Sequence, residues 1–257
     1  MTISVAVFGA SGRLGSLICE LIEADPELEL VAALRSGSHP AEAETADVVV
    51  DVTTPEASAA IVSRAIGLGQ RVIVGTSGWS AARLDELRAL VAATPDAGVL
   101  VVPNFSLGSV LGTALARIAG RFSDAIEIIE AHHPAKLDSP SGTAVRTAEL
   151  IAADRAGRPV DAPAAEQPAR GQLVAGIPVH SLRLAGVVAK QEVRFGGPGE
   201  VLTITHDTHS QDAYRAGISR ALAAAPTLTG LTVGLDALLG LDALAAALDE
   251  APAGGAA

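Results

Sequence analysis

The sequence predicts an α/β protein in which a doubly wound parallel sheet is followed by a second, α+β region. Strand-like and helix-like segments alternate through the first 104 residues, and a different rhythm follows. Hydrophobic residues make up 49% of the chain but aromatic residues only 2%, so the core material is mainly Ala, Val, Leu and Ile. Aliphatic runs of this kind suit parallel strands that helices cover on both faces.

Five apolar runs in the first region predict strands, and apolar residues at helical spacing between them predict helices. The strands are predicted over Ile3–Phe8, Leu28–Leu34, Val48–Val52, Arg71–Val74 and Gly98–Val102. The helices are predicted over Leu14–Ala24, Pro55–Leu68 and Ala81–Ala93. Strands that alternate with helices in this way are expected to run parallel, because a helix returns the chain to the same edge of the sheet.

The pattern changes after Asn104. The elements predicted there are a helix near Ser106–Arg121, a strand near Ala125–His132, a helix from about Ser141, strands over Val179–Leu184, Ala189–Phe195 and Val201–His206, and a helix over Asp212–Ala225. Short turns between the later strands indicate a mixed, mostly antiparallel sheet, and the polar stretch 155–172 is predicted to be a loop. We expect one domain over 1–104, completed by 212–257, and a second over 105–211, with a frayed tail at 251–257.

The charge balance limits the classes of partner. A formal net charge of −11 argues against nucleic acids and anionic membranes, since both need a basic surface. No apolar run reaches the roughly 18 residues that a membrane span requires, so we expect a soluble, cytoplasmic protein. The lone Cys19 lies in an apolar helical pattern and is expected to pack in the core. No metal site is predicted.

Three glycines follow the first predicted strand with the spacing G-x-x-G-x-x-G, at Gly9, Gly12 and Gly15. Gly9 can make a tight turn, Gly12 lets the backbone approach a pyrophosphate, and Gly15 lets the helix pack closely on the strand. The N–H groups at the helix start then favour an anion. A turn without a ligand is the alternative, but a strand before it and a helix after it favour a Rossmann-type dinucleotide site.

The residues after the second predicted strand indicate the kind of dinucleotide. An acidic residue normally binds the NAD ribose about 20 residues after the last glycine. Arg35 and Ser36 occupy this place instead. With Arg13, they are suited to the 2′-phosphate of NADPH. An exposed arginine that binds no ligand is the alternative.

A dense polar cluster begins at Glu127. It contains His132, His133, Lys136, Asp138, Pro140, Ser141, Gly142 and Thr143. Paired histidines at a strand end often serve packing alone, but a histidine near neutrality can donate a proton and a lysine can bind a carboxylate. Pro140 followed by Ser141 suits a helix start, whose N–H groups bind anions. The cluster therefore predicts a local cationic pocket in an acidic protein.

This cluster resembles the signature of the 4-hydroxy-tetrahydrodipicolinate reductase (dihydrodipicolinate reductase) family. That signature is Glu-Ile/Val-any-Glu-any-His, three residues, then Lys-any-Asp-any-Pro-Ser-Gly-Thr-Ala, and every fixed position is present between Glu127 and Ala144. Further matches to the family are Gly9–Gly15, Asp51-Val52-Thr53, Gly75-Thr76-Ser77-Gly78, Pro103-Asn104-Phe105-Ser106, Gly199-Glu200 and Leu202–His206. The resemblance covers nearly the whole chain.

The resemblance implies reduction of 4-hydroxy-tetrahydrodipicolinate to tetrahydrodipicolinate with NADPH or NADH and loss of water, in diaminopimelate and lysine biosynthesis. It implies that His132 is the general acid and that Lys136 is a second proton donor or a carboxylate partner. The implied residues for the dicarboxylate substrate are His133, Ser141, Gly142 and Thr143. The implied cofactor-binding residues are Gly9, Ser11, Gly12, Arg13, Leu14, Gly15, Arg35, Thr53, Gly75, Thr76, Ser77, Pro103, Asn104 and Phe105.

The resemblance also implies a homotetramer joined through the second sheet, which is expected to carry few charges. Ala135, Lys190 and Gln211 depart from the family by standing where members often have His, His and Arg, and these departures bear on substrate affinity more than on reaction type. A homoserine or semialdehyde dehydrogenase would explain the glycine turn but not the cluster of His132 and Lys136. The same holds for a non-catalytic dinucleotide sensor.

Overall fold

The computed structural model describes residues 2–241 of the chain. Its helices are α1 (Arg13–Ala24), α2 (Pro55–Gly67), α3 (Ala81–Ala93), α4 (Leu107–Gly120), α5 (Gly142–Asp154) and α6 (Arg215–Ala224). Its strands are β1 (Ile3–Phe8), β2 (Leu28–Leu34), β3 (Val48–Asp51), β4 (Arg71–Val74), β5 (Gly98–Val101), β6 (Ala125–His132), β7 (Gln172–Val174), β8 (Ile177–Arg183), β9 (Ala189–Gly197), β10 (Glu200–Thr208) and β11 (Gly230–Val233). The predicted tail at 251–257, and the rest of 242–257, lie outside the described residues.

One unit comprises the chain up to Leu107 together with Tyr214–Leu238. It contains a six-stranded parallel sheet with the strand order β11-β5-β4-β3-β1-β2. Every residue of β3 and β5 is buried, as expected for strands with helices against both faces. The predicted doubly wound sheet is confirmed. Its core includes the aliphatic side chains of Val49, Val62, Ile66, Val72, Val91 and Val99.

The direction in which strands are added to this sheet reverses at β1. Strand β2 lies on one side of β1, whereas β3, β4 and β5 follow one another on the other side. Open α/β sheets bind ligands at the carboxyl ends of the strands beside such a reversal. Gly9 directly follows β1, so the glycine turn lies at this point.

A second unit is built mainly from Gly108–Ala213 and contains a five-stranded sheet with the order β10-β9-β6-β8-β7. Strands β6 and β8 run parallel and the other neighbours antiparallel, which confirms the predicted mixed, mostly antiparallel sheet. One face of the sheet packs against α4 and α5. The core of this layer includes Ala116, Ile126, Ile128, Ala148, Ile151, Val193 and Phe195.

The opposite face of the second sheet, here called the outer face, forms an open depression of about 640 Å³. Its lining residues are Ala125, Glu127, Ile129, His180, Leu182, Arg194, Gly196 and Val201. Leu182 and Val201 are 45% and 67% exposed. Glu127 forms an ion pair with Arg170 and a hydrogen bond with His180. The outer face is therefore only partly apolar, and the expectation of few charges on this sheet is wrong.

The sequence does not predict two short strands, β7 and β11. Both lack the continuous apolar run by which the equally short β3, β4 and β5 are predicted, and both depend on partners elsewhere in the chain. Strand β7 pairs with β8, and β11 pairs in parallel with β5.

Cys19 is only partly buried, contrary to the expectation of core packing. The buried face of α1 is formed by Leu17, Ile18 and Ile22, and Cys19 lies beside it. Burial, together with the charge of Glu23, raises the pKa of the Cys19 thiol. The thiol is therefore protonated near neutral pH, and its reactivity is low.

Candidate functional site

The turn after β1 packs three glycines closely. Gly9 has a φ of +89°, and a Cβ atom there would lie 2.5 Å from the Val52 carbonyl oxygen. A Cβ atom on Gly15 would lie 2.1 Å from the Gly9 carbonyl oxygen. Helix α1 begins at Arg13, and Gly12 before it has no side chain with which to cap the helix. The glycines let the turn pack tightly against Val52 and α1, and the start of α1 has no side-chain cap, which together fit the pyrophosphate of a dinucleotide.

The other predicted cofactor residues follow the neighbouring strands. They are Arg35 after β2, Thr53 after β3, Gly75, Thr76 and Ser77 after β4, and Pro103, Asn104 and Phe105 after β5. Parallel strands place their carboxyl ends along one edge of a sheet, so all of these residues lie along the edge that carries Gly9. Ser11, Arg13 and Arg35 are exposed, and Leu14 is half-buried. Two cationic side chains are thus accessible at this edge.

A buried carboxylate shapes the turns at this edge. Asp51, the last residue of β3, is fully buried. It accepts hydrogen bonds from the Thr53 backbone N–H at 3.1 Å, from Thr76 Oγ1 at 2.9 Å and from Ser58 Oγ. The Trp79 indole N–H donates in turn to Ser58 Oγ at 3.1 Å. Because a buried polar group needs hydrogen-bond partners, Asp51 fixes the positions of Thr53 and Thr76.

Phe105 supports the turn after β4. A Cβ atom on Gly75 would lie 2.6 Å from Phe105 Cε2, so the ring packs directly against the Gly75 backbone. Phe105 is 4% exposed. Asn104 Oδ1 accepts the Ser106 N–H at 2.9 Å and holds the turn that follows β5. Pro103 and Ser77 are exposed beside them.

His132 ends β6 in the second unit, and Glu130 lies two residues earlier on the same face of the strand. Glu130 is 0% exposed. Its Oε2 lies 2.6 Å from His132 Nδ1, and the guanidinium of Arg183 binds both carboxylate oxygens at 3.0 Å. The parallel pairing of β6 with β8 places Arg183 directly opposite His132, although the two are far apart in sequence.

The electrostatic surroundings determine the protonation of this group. Burial lowers the pKa of His132 below its ordinary value, and the charges of Lys136 and Arg183 act in the same direction against the effect of Glu130. Burial alone would raise the pKa of Glu130, but hydrogen bonds from Arg183, Ser181 and His132 lower it. Glu130 is therefore ionised and can only accept hydrogen bonds, so His132 Nδ1 must carry the hydrogen. Nε2 is the ring nitrogen that can exchange a proton with a ligand.

The loop between β6 and α5 carries Lys136. The Lys136 N–H donates to the His133 carbonyl at 3.1 Å, which closes a turn around the half-buried His133. Lys136 Nζ lies 2.7 Å from Asp138 Oδ1. Burial opposes ionisation of Asp138, but hydrogen bonds from Lys136 and from the Gly142 backbone outweigh it and lower the pKa. Asp138 thus engages two of the donors predicted to bind a ligand carboxylate.

Helix α5 begins where the sequence predicts an anion site. Ser141 is the N-cap, and its Oγ accepts the Ala144 N–H at 3.2 Å. The Ser141 backbone N–H donates to Glu130 Oε1 at 3.2 Å. Ser141 is buried, whereas Gly142 is exposed and Thr143 half-buried. Ser141 therefore orients the helix start, and Gly142 and Thr143 are the residues that a ligand can reach.

The three departures from the family pattern lie in different places. Ala135 is exposed in the loop after β6. Lys190 on β9 pairs with Ala131, which places it on the outer face, and its Nζ lies 3.6 Å from Glu192. Gln211 begins a short 3₁₀ turn after β10. Of the three, Ala135 alone shares a loop with a predicted catalytic residue.

The structure collects the predicted site residues into two groups, with the cofactor residues in the first unit and His132, His133, Lys136 and the Ser141–Thr143 turn in the second. Five residues that shape these groups carry no predicted role: Asp51, Ser58, Glu130, Asp138 and Arg183. A signal for Glu130 was available, because a charged residue among apolar ones on the core-facing side of a strand needs a partner.

Both units match models of one protein family. Residues 3–105 match dihydrodipicolinate reductase, N-terminus, and residues 108–239 match dihydrodipicolinate reductase, C-terminus. The chain belongs to the dihydrodipicolinate reductase family.

Similar proteins of the dihydrodipicolinate reductase family cover nearly the whole chain. The 4-hydroxy-tetrahydrodipicolinate reductase of Clavibacter michiganensis subsp. michiganensis is 54% identical, over 99% of this chain and 94% of that protein. The protein of the same name from Cutibacterium acnes is 46% identical, over 93% and 100%. The dipicolinate-bound dihydrodipicolinate reductase from Paenisporosarcina sp. TG-14 has a TM-score of 0.77 at 30% identity, over 93% and 100%. Within residues 2–241, none of the helices has the length and apolar character of a membrane span.

Proposed function

We propose that the chain reduces 4-hydroxy-tetrahydrodipicolinate to tetrahydrodipicolinate with NADPH or NADH and loss of water, in diaminopimelate and lysine biosynthesis. Its family membership supports this reaction. The structural observation that carries it is the buried Glu130 that binds both His132 and the start of α5. A proton donor is thereby held beside a group of carboxylate-binding donors, an arrangement for which a dinucleotide sensor has no use.

The first unit is assigned to the cofactor. The backbone N–H groups of Arg13 and Leu14, at the start of α1, receive the pyrophosphate, and Arg35 receives the 2′-phosphate of NADPH. Thr53 and Thr76, which Asp51 holds in place, line the nicotinamide end together with the turn packed on Phe105. When bound, the nicotinamide supplies the hydride.

His132 is assigned to the proton that accompanies the hydride. Because Nδ1 donates to Glu130, Nε2 carries the proton that is transferred. After transfer the neutral ring keeps its Nδ1 hydrogen bond, so its orientation is retained. The lowered pKa makes protonated His132 a stronger acid than an ordinary histidine.

Lys136 and the start of α5 are assigned to a carboxylate of the dicarboxylate substrate. An ammonium group and backbone N–H groups are the donors that carboxylates bind most strongly. Since Asp138 engages Lys136 and Gly142, a substrate carboxylate has to share these donors with Asp138 or replace it. Thr143 and His133 are assigned to the same ligand.

Replacing His132 with Gln tests the assignment of the acid. The variant His132→Gln is expected to lower kcat by about 10²–10⁴-fold, because the proton donor is lost, while NADPH binding stays nearly unchanged. Turnover is followed by NADPH absorbance with substrate freshly made from pyruvate and aspartate semialdehyde. His209→Gln, at a side chain that is 86% exposed, serves as the matched control and should keep the parent turnover. Unchanged turnover in His132→Gln would remove this residue from the mechanism.

Replacing Lys136 with Ala tests the carboxylate site. A charge-assisted hydrogen bond contributes about 1.5–3 kcal/mol, so the affinity for dipicolinate should fall roughly 10- to 150-fold. Lys136→Arg keeps the charge and should retain part of this affinity, and NADPH affinity should be equal in all three proteins. Calorimetric titration with dipicolinate measures the effect. If Lys136→Ala binds dipicolinate as the parent does, the carboxylate site lies elsewhere.

Replacing Arg35 with Ala tests the choice of cofactor. Arg35 is exposed, so its bond to the 2′-phosphate should contribute about 1–2 kcal/mol, or roughly 5- to 30-fold in kcat/KM for NADPH. We expect the parent to prefer NADPH modestly and Arg35→Ala to lose that preference without a change for NADH. Arg88→Ala, at another exposed arginine, should leave the ratio unaltered. A parent preference for NADH contradicts the assignment.

We further propose a homotetramer in the cytoplasm, assembled through the outer face of the second sheet. Exposed Leu182 and Val201 beside the ion pair between Glu127 and Arg170 give the mixture of apolar area and charge that interfaces use. A single cysteine suits a reducing compartment. Light scattering should give four times the chain mass of 25.8 kDa, and Val201→Asp should lower that value. A monomeric mass for the parent rules this assembly out.

A further inference from the structure

Arg183 lies outside the motifs quoted above for the family, yet it contacts both the buried carboxylate of the candidate proton-donor group and the loop that carries Lys136. Its guanidinium donates to both oxygens of Glu130 at 3.0 Å. It also donates to the backbone oxygen of Asp138 at 2.5 Å and to that of Lys136 at 3.4 Å. One side chain on β8 therefore holds both the buried carboxylate and the loop after β6.

Glu130 in turn accepts hydrogen bonds from two further segments, the end of β6 and the start of α5. Its Oε2 accepts from His132 Nδ1, and its Oε1 accepts from the Ser141 N–H at the start of α5. A planar guanidinium matches a carboxylate with two parallel hydrogen bonds and thereby fixes its plane, which a lysine ammonium cannot do. Because Arg183 fixes the plane of the Glu130 carboxylate, it also fixes the direction of the His132 ring.

We propose that Arg183 is a positioning residue for the reduction: it holds Glu130 in the plane that aims His132 Nε2 at the substrate, and it holds the loop that carries Lys136. This inference rests on the proposed function, since it concerns how the same proton donor is oriented. Arg183 acts through the Glu130 carboxylate and through backbone oxygens rather than by touching a reacting atom.

The charge of Arg183 acts on His132 as well. The charged groups that face His132 are Glu130 from its own strand, Arg183 from β8 and Lys136 from the following loop. Strand β9 places the uncharged Ala189 opposite His132 and the uncharged Gln191 opposite Glu130, and Gln191 donates to Thr147 of α5. Without Arg183, the negative charge of Glu130 is unopposed and favours protonated His132. Without Glu130, the positive charges of Arg183 and Lys136 disfavour it.

The two partners therefore predict opposite changes in the pH dependence of the reaction. The experiment measures kcat/KM for NADPH-dependent reduction against pH in the parent, in Arg183→Met and in Glu130→Gln. A general acid must be protonated, so activity falls as the pH rises through the pKa of His132. This falling limb should move to higher pH in Arg183→Met and to lower pH in Glu130→Gln. Both variants should lose about 10- to 100-fold in kcat, because the ring is no longer aimed.

Two further variants separate charge from geometry. Arg183→Lys keeps the charge but cannot form two parallel hydrogen bonds with Glu130. The falling limb of its kcat/KM profile should therefore lie at the same pH as in the parent, whereas its kcat should be lower. Arg117→Met disrupts the ion pair with Asp154 in the same unit, where the arginine side chain is 18% exposed compared with 21% for Arg183. In this matched control, both the pH of the falling limb and the value of kcat should equal those of the parent.

If Arg183→Met does not fold, the double variant Glu130→Gln with Arg183→Met replaces it in the experiment, because it leaves neither charge buried without its partner. In the double variant, the falling limb of the kcat/KM profile should lie at higher pH than in Glu130→Gln alone. The kcat of the double variant should still be lower than that of the parent. The proposal is overturned if the falling limb of the kcat/KM profile shifts in the same direction in the two single variants. It is also overturned if the falling limb of the double variant lies at the same pH as that of Glu130→Gln. An Arg183→Met protein with the parent profile overturns it as well. The proposed function fails separately, if the parent does not oxidise NADPH with this substrate or if His132→Gln keeps the falling limb.

Discussion

A carboxylate buried at the end of β6 is the constraint on which the second unit depends. Taking an ionised group out of water costs several kcal/mol unless an opposite charge and hydrogen bonds replace the lost water. Glu130 receives these from Arg183, His132 and the Ser141 backbone. Removing one partner of such a pair typically costs about 3–5 kcal/mol, so the strand end, the loop and the start of α5 cannot move independently. The same contacts set which nitrogen of His132 can exchange a proton.

The first unit uses a related device at its own functional edge. Asp51 is the last residue of β3, and Glu130 lies two residues before the end of β6. Both carboxylates are fully buried. Hydroxyl and backbone donors, rather than an arginine, are the described partners of Asp51, and they belong to the turns that carry Thr53 and Thr76. In both units a buried acid holds neighbouring turns in fixed positions through hydrogen bonds to their residues.

Much of this architecture could be predicted from local pattern. Runs of buried valine, as in Val48–Asp51, identify strands covered on both faces, and the spacing of Gly9, Gly12 and Gly15 identifies the tight turn between β1 and α1. The short strands β7 and β11 could not be predicted, because their pairing depends on β8 and β5 rather than on their own few residues. The mixture of charge and apolar area on the outer face was also beyond prediction, since it depends on which strands are neighbours.

The candidate site divides in the same way. His132, Lys136 and the turn after Pro140 are close in sequence, so their chemistry could be predicted together. Arg183 could not be placed with them, because only the parallel pairing of β6 and β8 brings it opposite His132. Nor does the sequence reveal that Asp138 engages Lys136, since that contact depends on the path of the loop.

The tautomer of His132 tests the central claim most directly. Nitrogen-15 NMR of the labelled protein, recorded above the pKa of His132, distinguishes a protonated Nδ1 from a protonated Nε2, and His132→Gln identifies the signals. Because ionised Glu130 accepts from Nδ1, the neutral ring should carry its hydrogen on Nδ1 and leave Nε2 unprotonated. A ring protonated on Nε2, or an even mixture of the two forms, would show that Glu130 does not fix the proton donor.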